Sequence, residues 1–425
     1  MTETGIGQAP RAFVVGAGIA GLSCAVRLSA LGWSVTLFEA AGQAGGRCRS
    51  FHDERLDRTI DNGNHVLLSA NHQALSYLEE IGARGQLTGP ASAAFPFVDL
   101  KSGERWTLRP GAGRLPWWLL SKGRRIPGTG IAGYLAGLRL ARAGPEATVA
   151  DCLDPTDPLW ARFWEPLCVA ALNTAPEEAS ARLLWLVVRE SFLRGEAACR
   201  PLIPRDGLSA CFVEPALAKL RQAGAEILFN KRLRGLDFGE RAVRSMDFGE
   251  SRRAVKPSDR VVLALPPGAT GDLLPGTEVP GDSRPIVNVH IRLPAPPNLP
   301  DDLPFLGLVG GAADWLFVRG DVVSLTVSAA RALAEEPAET IGNRLWADTA
   351  TALKLPVEPV PPLRVIKERR ATFAQTPAAL ARRLPARTRW PNLFLAGDWT
   401  DTGYPATIES AVRSGRAVAR IVGGG

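Results

Sequence analysis

The strongest constraint on the fold lies near the start of the chain, in RAFVVGAGIAGLSCAVRLSALGWSVTLFEA, residues 11–40. A short apolar strand leads into Gly16, Gly18 and Gly21, and a helix rich in small and apolar residues follows. Here the first glycine permits a tight turn, the second lets a pyrophosphate approach the backbone, and the third lets helix pack on strand. A second strand ends at Glu39, 18 residues after Gly21, where an acidic side chain is suited to bind a ribose hydroxyl. The stretch predicts a Rossmann-like dinucleotide-binding unit.

The segment directly after Glu39, AAGQAGGRCRS, indicates a second contact with phosphate. Gly45 and Gly46 allow the backbone to turn close to a ligand, and Arg47 offers it a bidentate donor. A nicotinamide-binding fold needs no such element, so we expect an extended cofactor.

A third candidate cofactor motif lies near the C-terminus, in NLFLAGDWTDTGYPATIESAVRSGRAVARI. A strand leads into Gly397 and Asp398, and after a loop a helix with one apolar face begins near Thr407 and Ile408. Asp398 and the helix N-terminus form another polar site for an extended cofactor. Asp398 is equally suited to cap the loop or the helix.

The composition excludes some functional classes. With 425 residues, 46% of them hydrophobic, the chain can bury large cores and is expected to form two domains. The 50 Lys and Arg against 43 Asp and Glu give a net charge of +7, without the dense basic tail or aromatic–basic interleaving of a nucleic-acid-binding protein. We therefore expect no nucleic-acid partner, and a membrane surface or an anionic ligand suits the mild positive charge better.

The six cysteines are scattered, with no CxxC pair and no spacing typical of metal ligands. They predict buried thiols in a reducing compartment, without disulfides or a structural metal. The N-terminal MTETGIGQAP lacks the basic and apolar regions of a secretory signal, which predicts a cytoplasmic protein.

The motifs resemble a known superfamily. VVGAGIAGLSCAVRLSALGWSVTLFEA, AGGRCRS and LFLAGDW are similar to the FAD-dependent amine oxidases and phytoene desaturases. More narrowly, DNGNHVLL with GDWTDTGYPATIESAVRSG resembles the hydroxysqualene dehydroxylases of bacterial hopanoid pathways. The resemblance spans the whole chain in order, with two departures: Asn64 stands where Gln is common, and Ser410 where Gly is common.

The resemblance implies an α/β fold in which a Rossmann-like FAD-binding domain of the GR2 flavoprotein type is interleaved with a substrate domain of mixed sheet and helices. It assigns residues 1–89, 205–285 and 376–425 to the first domain, and 90–204 and 286–375 to the second. The implied FAD contacts are Gly16, Gly18, Ala20, Gly21, Glu39, Gly45, Gly46, Arg47, Gly63, Asn64, His65, Leu233, Gly397, Asp398, Thr407 and Ile408.

The stretch DNGNHVLLSANH, residues 61–72, predicts a tight turn at Asn62 and Gly63 followed by an apolar strand. The resemblance implies that this turn passes beside the flavin ring, so His65 lies at the flavin edge or in the substrate cavity. Alternatively, His65 is a hydrogen-bonded core side chain. The candidate catalytic groups are His65, Asp61 and Glu409, although Asp61 is also suited to cap the turn and Glu409 to cap its helix.

The segment Arg114 to Gly144, RLPWWLLSKGRRIPGTGIAGYLAGLRLARAG, combines Trp117 and Trp118 with leucines and basic residues before an apolar helix. Aromatic and cationic side chains together favour docking at a membrane surface, and the run is too short and interrupted to cross a bilayer. The alternative is a hairpin packed inside the substrate domain.

The resemblance implies reductive removal of the hydroxyl of hydroxysqualene. The expected partners are a long-chain isoprenoid, an electron donor for the flavin and the inner face of the bacterial cytoplasmic membrane. A carotenoid-type desaturase is the first alternative. An amine oxidase ranks lower, because Thr407 stands near the position of that family's flavin-facing aromatic residue. A non-enzymatic alternative is a flavin-binding carrier of prenyl lipids.

Overall fold

The computed structural model describes residues 9–113 and 115–424, so the predictions for MTETGIGQ and for Arg114 lie outside the described residues. The strands are β1 (Arg11–Val15), β2 (Ser34–Phe38), β3 (Ser50–Asp53), β4 (Arg58–Asp61), β5 (Leu67–Leu68), β6 (Leu87–Thr88), β7 (Phe95–Asp99), β8 (Arg105–Leu108), β9 (Pro201–Pro204), β10 (Glu226–Leu228), β11 (Gly235–Phe238), β12 (Val243–Asp247), β13 (Arg252–Ala254), β14 (Arg260–Leu263), β15 (Ser283–Arg292), β16 (Phe305–Val309), β17 (Trp315–Arg319), β18 (Val322–Val327), β19 (Leu363–Phe373) and β20 (Leu393–Leu395). The α-helices are α1 (Ile19–Ala30), α2 (His72–Glu80), α3 (Ile131–Ala136), α4 (Val149–Cys152), α5 (Glu165–Leu172), α6 (Ala181–Glu190), α7 (Glu196–Cys199), α8 (Glu214–Gln222), α9 (Pro267–Leu273), α10 (Ala338–Leu353), α11 (Pro377–Ala381) and α12 (Ile408–Gly423).

A parallel five-stranded sheet, in the order β10-β2-β1-β14-β20, forms the centre of the nucleotide-binding part. Residues 12–15 of β1 are all buried, because α1, α8 and α12 cover one face of the sheet and the antiparallel strands β11–β13 cover the other. The strand–helix order predicted for residues 11–40 is confirmed. The sheet thus combines strands from the beginning, middle and end of the chain.

A mixed seven-stranded sheet, in the order β19-β15-β18-β17-β16-β7-β8, lies in the second part of the molecule. Only β16 and β7 pair in parallel among these neighbours. Side chains on one face, such as Val289 and Leu325, pack in the core that contains α10. The opposite face carries Asn288, Thr326 and Trp315, which are aligned across β15, β18 and β17. The predicted α/β fold with a mixed sheet-plus-helix part is confirmed.

The helices between β8 and β9 pack around an aromatic core that contains Tyr134, Phe163 and Trp164. The apolar helix predicted in this region is present, but its geometry changes within its length. Helix α3 ends at Ala136 and continues as a tighter 3₁₀ turn to Arg142. Gly137 lies so close to the Trp164 indole that a side chain at this position would collide with the ring, and this packing accompanies the change of helical geometry.

Candidate active site

The glycine loop between β1 and α1 has the shape that a dinucleotide phosphate requires. Gly16 has a φ of 103°, and a Cβ there would collide with the carbonyl oxygen of Ala264 on the neighbouring strand's end. Gly21 lets α1 pack directly on the loop. By contrast, a Cβ at Gly18 would meet nothing within 4 Å, and no side chain caps the first turn of α1. The free backbone N–H groups therefore face open space that suits an anion.

The second glycine element lies against the first. The backbone N–H of Gly45 donates to the carbonyl of Ala17 at 2.8 Å, and Gly18 and Gly45 form a parallel bridge. Gly45 has a φ of 107°, which explains why this position needs glycine. The two loops form one cradle, as their predicted shared ligand requires.

Glu39 lies at the end of β2 beside this cradle. Its carboxylate accepts hydrogen bonds from the backbone N–H groups of Ala17 and Ala41, each at 2.8 Å. Two carboxylate oxygens offer about four acceptor positions, so a ribose hydroxyl still finds a partner. Glu39 therefore combines its predicted ribose contact with support of the glycine loop.

Arg47 and Asp398 connect two cofactor motifs that lie far apart in the sequence. One guanidinium nitrogen of Arg47 lies 2.8 and 2.9 Å from the two oxygens of Asp398, and another donates to the carbonyl of Ala371. The negative charge of Asp398 raises the pKa of Arg47. The structure thus gives Arg47 a carboxylate partner where phosphate was expected. Asp398 does not cap α12, because the Thr407 hydroxyl accepts from the first turn of that helix.

The segment after β4 differs from the predicted turn, because neither Asn62 nor Gly63 has a positive φ. Gly63 instead allows close packing, since a Cβ there would lie 3.2 Å from the amide nitrogen of Asn288. Asn64 donates to Thr326 Oγ1 at 2.9 Å, Thr326 donates to Asn288 Oδ1 at 2.8 Å, and Asn288 donates to the Asn62 carbonyl at 3.3 Å. This chain of bonds attaches the segment to β15 and β18.

Asn288 and Thr326 are buried residues that the sequence analysis missed. The signal for them was present, because each is a polar residue within an apolar strand, in PIVNVHI and VVSLTV. Buried polar side chains of this kind usually have hydrogen-bond partners. Their partners lie more than 200 positions away, at Asn62 and Asn64.

His65 is half-buried, and its Nδ1 lies 3.1 Å from the carbonyl oxygen of Gly63. A carbonyl only accepts, so Nδ1 carries the proton and Nε2 of the neutral ring presents a lone pair. Burial lowers the pKa of His65 below 6.5, although the Gly63 carbonyl and the charge of Asp61 oppose the shift. At neutral pH the ring is therefore a hydrogen-bond acceptor at Nε2.

Asp61 is buried and accepts hydrogen bonds from three protein donors. One oxygen accepts from Ser50 Oγ at 2.5 Å and from the backbone N–H of Leu208 at 3.0 Å, and the other accepts from Arg319 at 2.6 Å. These bonds hold the segment in position. The structure therefore favours a structural role for Asp61 over a catalytic one.

Both carboxylate oxygens of Glu409 also accept hydrogen bonds from the protein. Its two oxygens accept from the backbone N–H groups of Gln73 and Ala74, at 3.2 and 2.9 Å, and Arg413 lies 3.1 Å away. Glu409 thus caps α2, a different helix from the one on which it lies. Both carboxylates of the predicted catalytic set therefore have partners within the protein.

The remaining predicted FAD contacts lie on the same side of the parallel sheet's strand ends or in the adjoining core. They are Ala20 in the first turn of α1, Gly46 in the cradle, Leu233 in the core below β2, Gly397 after β20, and Ile408 at the start of α12.

Within residues 9–113 and 115–424, no group of three or more His, Cys, Asp or Glu side chains is arranged to hold a metal ion. All six cysteines are free thiols.

Comparison with known proteins identifies the family. A family model described as flavin containing amine oxidoreductase matches residues 19–423. The hydroxysqualene dehydroxylases of Rhodopseudomonas palustris and Sinorhizobium fredii are each 45% identical to this chain over 96% of its length, and the matches cover 97% and 96% of those proteins. The chain belongs to this family of flavin-containing amine oxidoreductases. Among solved structures, cyclohexylamine oxidase from Brevibacterium oxydans has a TM-score of 0.71 at 16% identity, covering 98% of this chain and 99% of that one.

Membership confirms the resemblance drawn from the motifs and makes the protein an FAD-dependent oxidoreductase. The open space at Gly18, the Gly45–Ala17 contact and the carboxylate of Glu39 fit the phosphates and ribose of FAD. The C-terminal motif, with Asp398 and the α12 N-terminus, faces the same cradle through Arg47.

Proposed function

We propose that the protein removes the allylic hydroxyl of hydroxysqualene reductively and releases squalene. The observation that carries this proposal is the full-length identity of 45% with relatives named hydroxysqualene dehydroxylase, whereas a 15-cis-phytoene desaturase from an Oncidium hybrid matches at 24%. FAD, when bound and reduced, supplies the hydride. A C–H bond forms as the C–O bond breaks, and one proton converts the leaving hydroxyl to water.

His65 is the side chain best suited to meet that hydroxyl. Asp61 and Glu409 each accept hydrogen bonds from several protein donors, so their oxygens are less free to meet a substrate group. The Nε2 lone pair of His65 accepts a hydrogen bond from the substrate hydroxyl and so orients the C–O bond. To donate a proton, the ring must first become imidazolium, which its lowered pKa restricts to acid solution.

Two substitutions of His65 separate these roles. If His65 orients the hydroxyl, His65→Gln keeps an acceptor and loses little rate, whereas His65→Leu loses about 2–10-fold, the worth of one neutral hydrogen bond. If His65 is the proton donor, both variants lose about 10²–10⁴-fold, and the wild-type rate rises as the pH falls toward the pKa of His65. Single-turnover rates, with bound FAD quantified on the same preparation, give the answer. An unchanged rate in fully flavinated His65→Leu removes His65 from the mechanism.

The activity itself is tested with purified protein, chemically reduced under anaerobic conditions and mixed with hydroxysqualene. We expect squalene in a one-to-one ratio with reoxidised flavin. Products with additional double bonds, formed by the oxidised enzyme, would instead support a desaturase. Binding of the isoprenoid without any product would support a carrier, and turnover of an amine would support an amine oxidase.

We also propose that the protein docks on a membrane surface through residues 115–142. Five of the eight large hydrophobic side chains that are exposed in the described parts of the chain lie in this segment. Trp117 is 68% exposed, and Lys122 and Arg124 lie exposed beside it. A bilayer with anionic headgroups satisfies both the apolar and the basic side chains. No helix among the described residues has the length and hydropathy to cross the membrane.

The adjacent Trp117 and Trp118 have different environments in the structure. The Trp118 ring lies edge-on to Tyr134, with centroids 5.6 Å apart, and belongs to the aromatic core. Of the two tryptophans, Trp117 is the exposed one. The proposed location is the inner face of the bacterial cytoplasmic membrane, where a long-chain isoprenoid substrate and an electron donor for the flavin would both reach the protein.

A further inference from the structure

Arg383 lies under the loop that joins β20 to α12. Its side chain is buried, with 8% exposure, and its guanidinium donates to the carbonyl of Thr400 at 2.9 Å and of Tyr404 at 2.7 Å. It also donates to the carbonyl of Asp398 at 3.2 Å and to Thr402 Oγ1 at 3.0 Å. A single side chain thus contacts most of the loop that carries the C-terminal cofactor motif.

The partners of Arg383 are unusual for a buried cation. Arg284, the other arginine less than a tenth exposed in the described chain, pairs with Glu178 and Asp282. Arg383 forms no ion pair within 4 Å in the described part of the chain. Burial lowers its pKa, and the negative charges of Asp401 and Asp398 oppose this shift. Burying a charge in this way is costly unless its donors are all satisfied. Backbone carbonyls satisfy them here, and only a planar group with five N–H donors can reach so many at once.

The C-terminal end of this loop is held by Gln375, which lies on the same chain segment as Arg383. Gln375 is buried, its Oε1 accepts from the backbone N–H of Ala406 at 2.8 Å, and its Nε2 donates to the carbonyl of Leu172 at 2.7 Å. Gln375 and Arg383 therefore bind the loop on both sides of Thr402.

We infer that Arg383 is a positioning residue for FAD, which holds the loop 397–406 so that Asp398 and the N-terminus of α12 meet the cofactor. The inference rests on the assignment of Asp398 and Thr407 to FAD binding. Loss of Arg383 frees the carbonyls of the loop, and a loop that rearranges no longer presents its donors and acceptors to the ligand.

The test compares Arg383→Met and Arg383→Lys with Arg382→Met, an exposed neighbour on the same segment. Two measurements are made on the flavinated protein: the rate of FAD release after dilution, followed by flavin fluorescence, and the rise of the unfolding midpoint produced by excess FAD. We expect Arg383→Met to release FAD about 10–100-fold faster, the worth of one charged hydrogen bond, and to lose much of the FAD-dependent rise. Arg383→Lys keeps the charge without the planar donors and should lie between Met and wild type, while Arg382→Met behaves as wild type.

A purely structural role predicts a different pattern. The unfolding midpoint of Arg383→Met would fall equally with and without excess FAD, and the release rate would match wild type, which would overturn the inference. If Arg383→Met does not fold, Arg383→Lys carries the test: a wild-type release rate in that variant would equally contradict the need for a planar donor. Neither measurement depends on squalene formation, so the result on FAD release stands even if the protein does not catalyse the proposed dehydroxylation.

Discussion

A buried histidine on the seven-stranded sheet makes the stability of the protein sensitive to acid. His290 on β15 is 1% exposed, its Nδ1 lies 2.7 Å from Ser324 Oγ, and its Nε2 has no hydrogen-bond partner. Burial lowers the pKa of His290 from 6.5 to about 4, although the charge of Asp61 opposes the shift. The unfolded chain, with the higher pKa, therefore takes up the proton first. The stabilisation by neutral His290 is complete above pH 6.5 and is lost as the pH falls toward 4.

The size of this loss follows from the two pKa values. At about 1.4 kcal/mol per pKa unit, the free energy of unfolding falls by about 2 kcal/mol between pH 7 and 5, and by about 3 kcal/mol at pH 4. In His290→Gln, which keeps a partner for Ser324, this part of the acid loss should disappear whatever the substitution costs at pH 7. His72→Gln removes an exposed histidine and should lose stability as wild type does.

Urea unfolding followed by tryptophan fluorescence at pH 7, 6, 5 and 4 measures the difference. His65 has a lowered pKa too and contributes to the acid loss in every variant that retains it, so the comparison with wild type isolates His290. If wild type and His290→Gln lose stability in parallel between pH 7 and 4, the reasoning from burial is refuted.

Further substitutions test the cofactor site and the proposed membrane surface. Glu39→Ala should weaken FAD retention by about 1.5–3 kcal/mol through the lost ribose bond, with Glu39→Gln less affected because it keeps one acceptor; wild-type flavin absorbance of Glu39→Ala after gel filtration would contradict the assignment. Trp117→Ser should bind anionic vesicles about tenfold more weakly in flotation, through the loss of apolar area, whereas Trp118→Ser should lower the unfolding midpoint instead. Equal flotation of wild type and Trp117→Ser would exclude this surface.

The parts of the fold that were predictable from sequence are those that local chemistry determines. The spacing of Gly16, Gly18 and Gly21 limits the backbone to a tight turn at a helix N-terminus, and the structure has that turn. The strand–loop–helix near the C-terminus was equally predictable, because β20 is a short apolar run and α12 has one apolar face. In both places the residues that decide the conformation are close neighbours.

Pairings between distant residues were not predictable in this way. Arg47 reads as a phosphate donor until Asp398, 351 positions later, is seen beside it. Glu409 reads as a free acid until α2 is found against its side chain. No period or spacing in one sequence encodes which strand lies next to which, so the partners of a buried charge stay hidden. These partners, which the sequence does not reveal, explain why Asp61 and Glu409 resemble catalytic groups in the sequence and structural residues in the fold.

The arrangement of the parallel sheet also affects how the protein is made. Strand β1 and the glycine loop leave the ribosome long before β20, Asp398 and α12. Until those residues emerge, the apolar side of α1 lacks α12, the helix that packs against it in the finished protein. The cofactor site that we propose therefore becomes complete only after the residues of α12 have been synthesised. A polypeptide truncated before β20 would lack Asp398 and α12, and we expect it to retain no FAD.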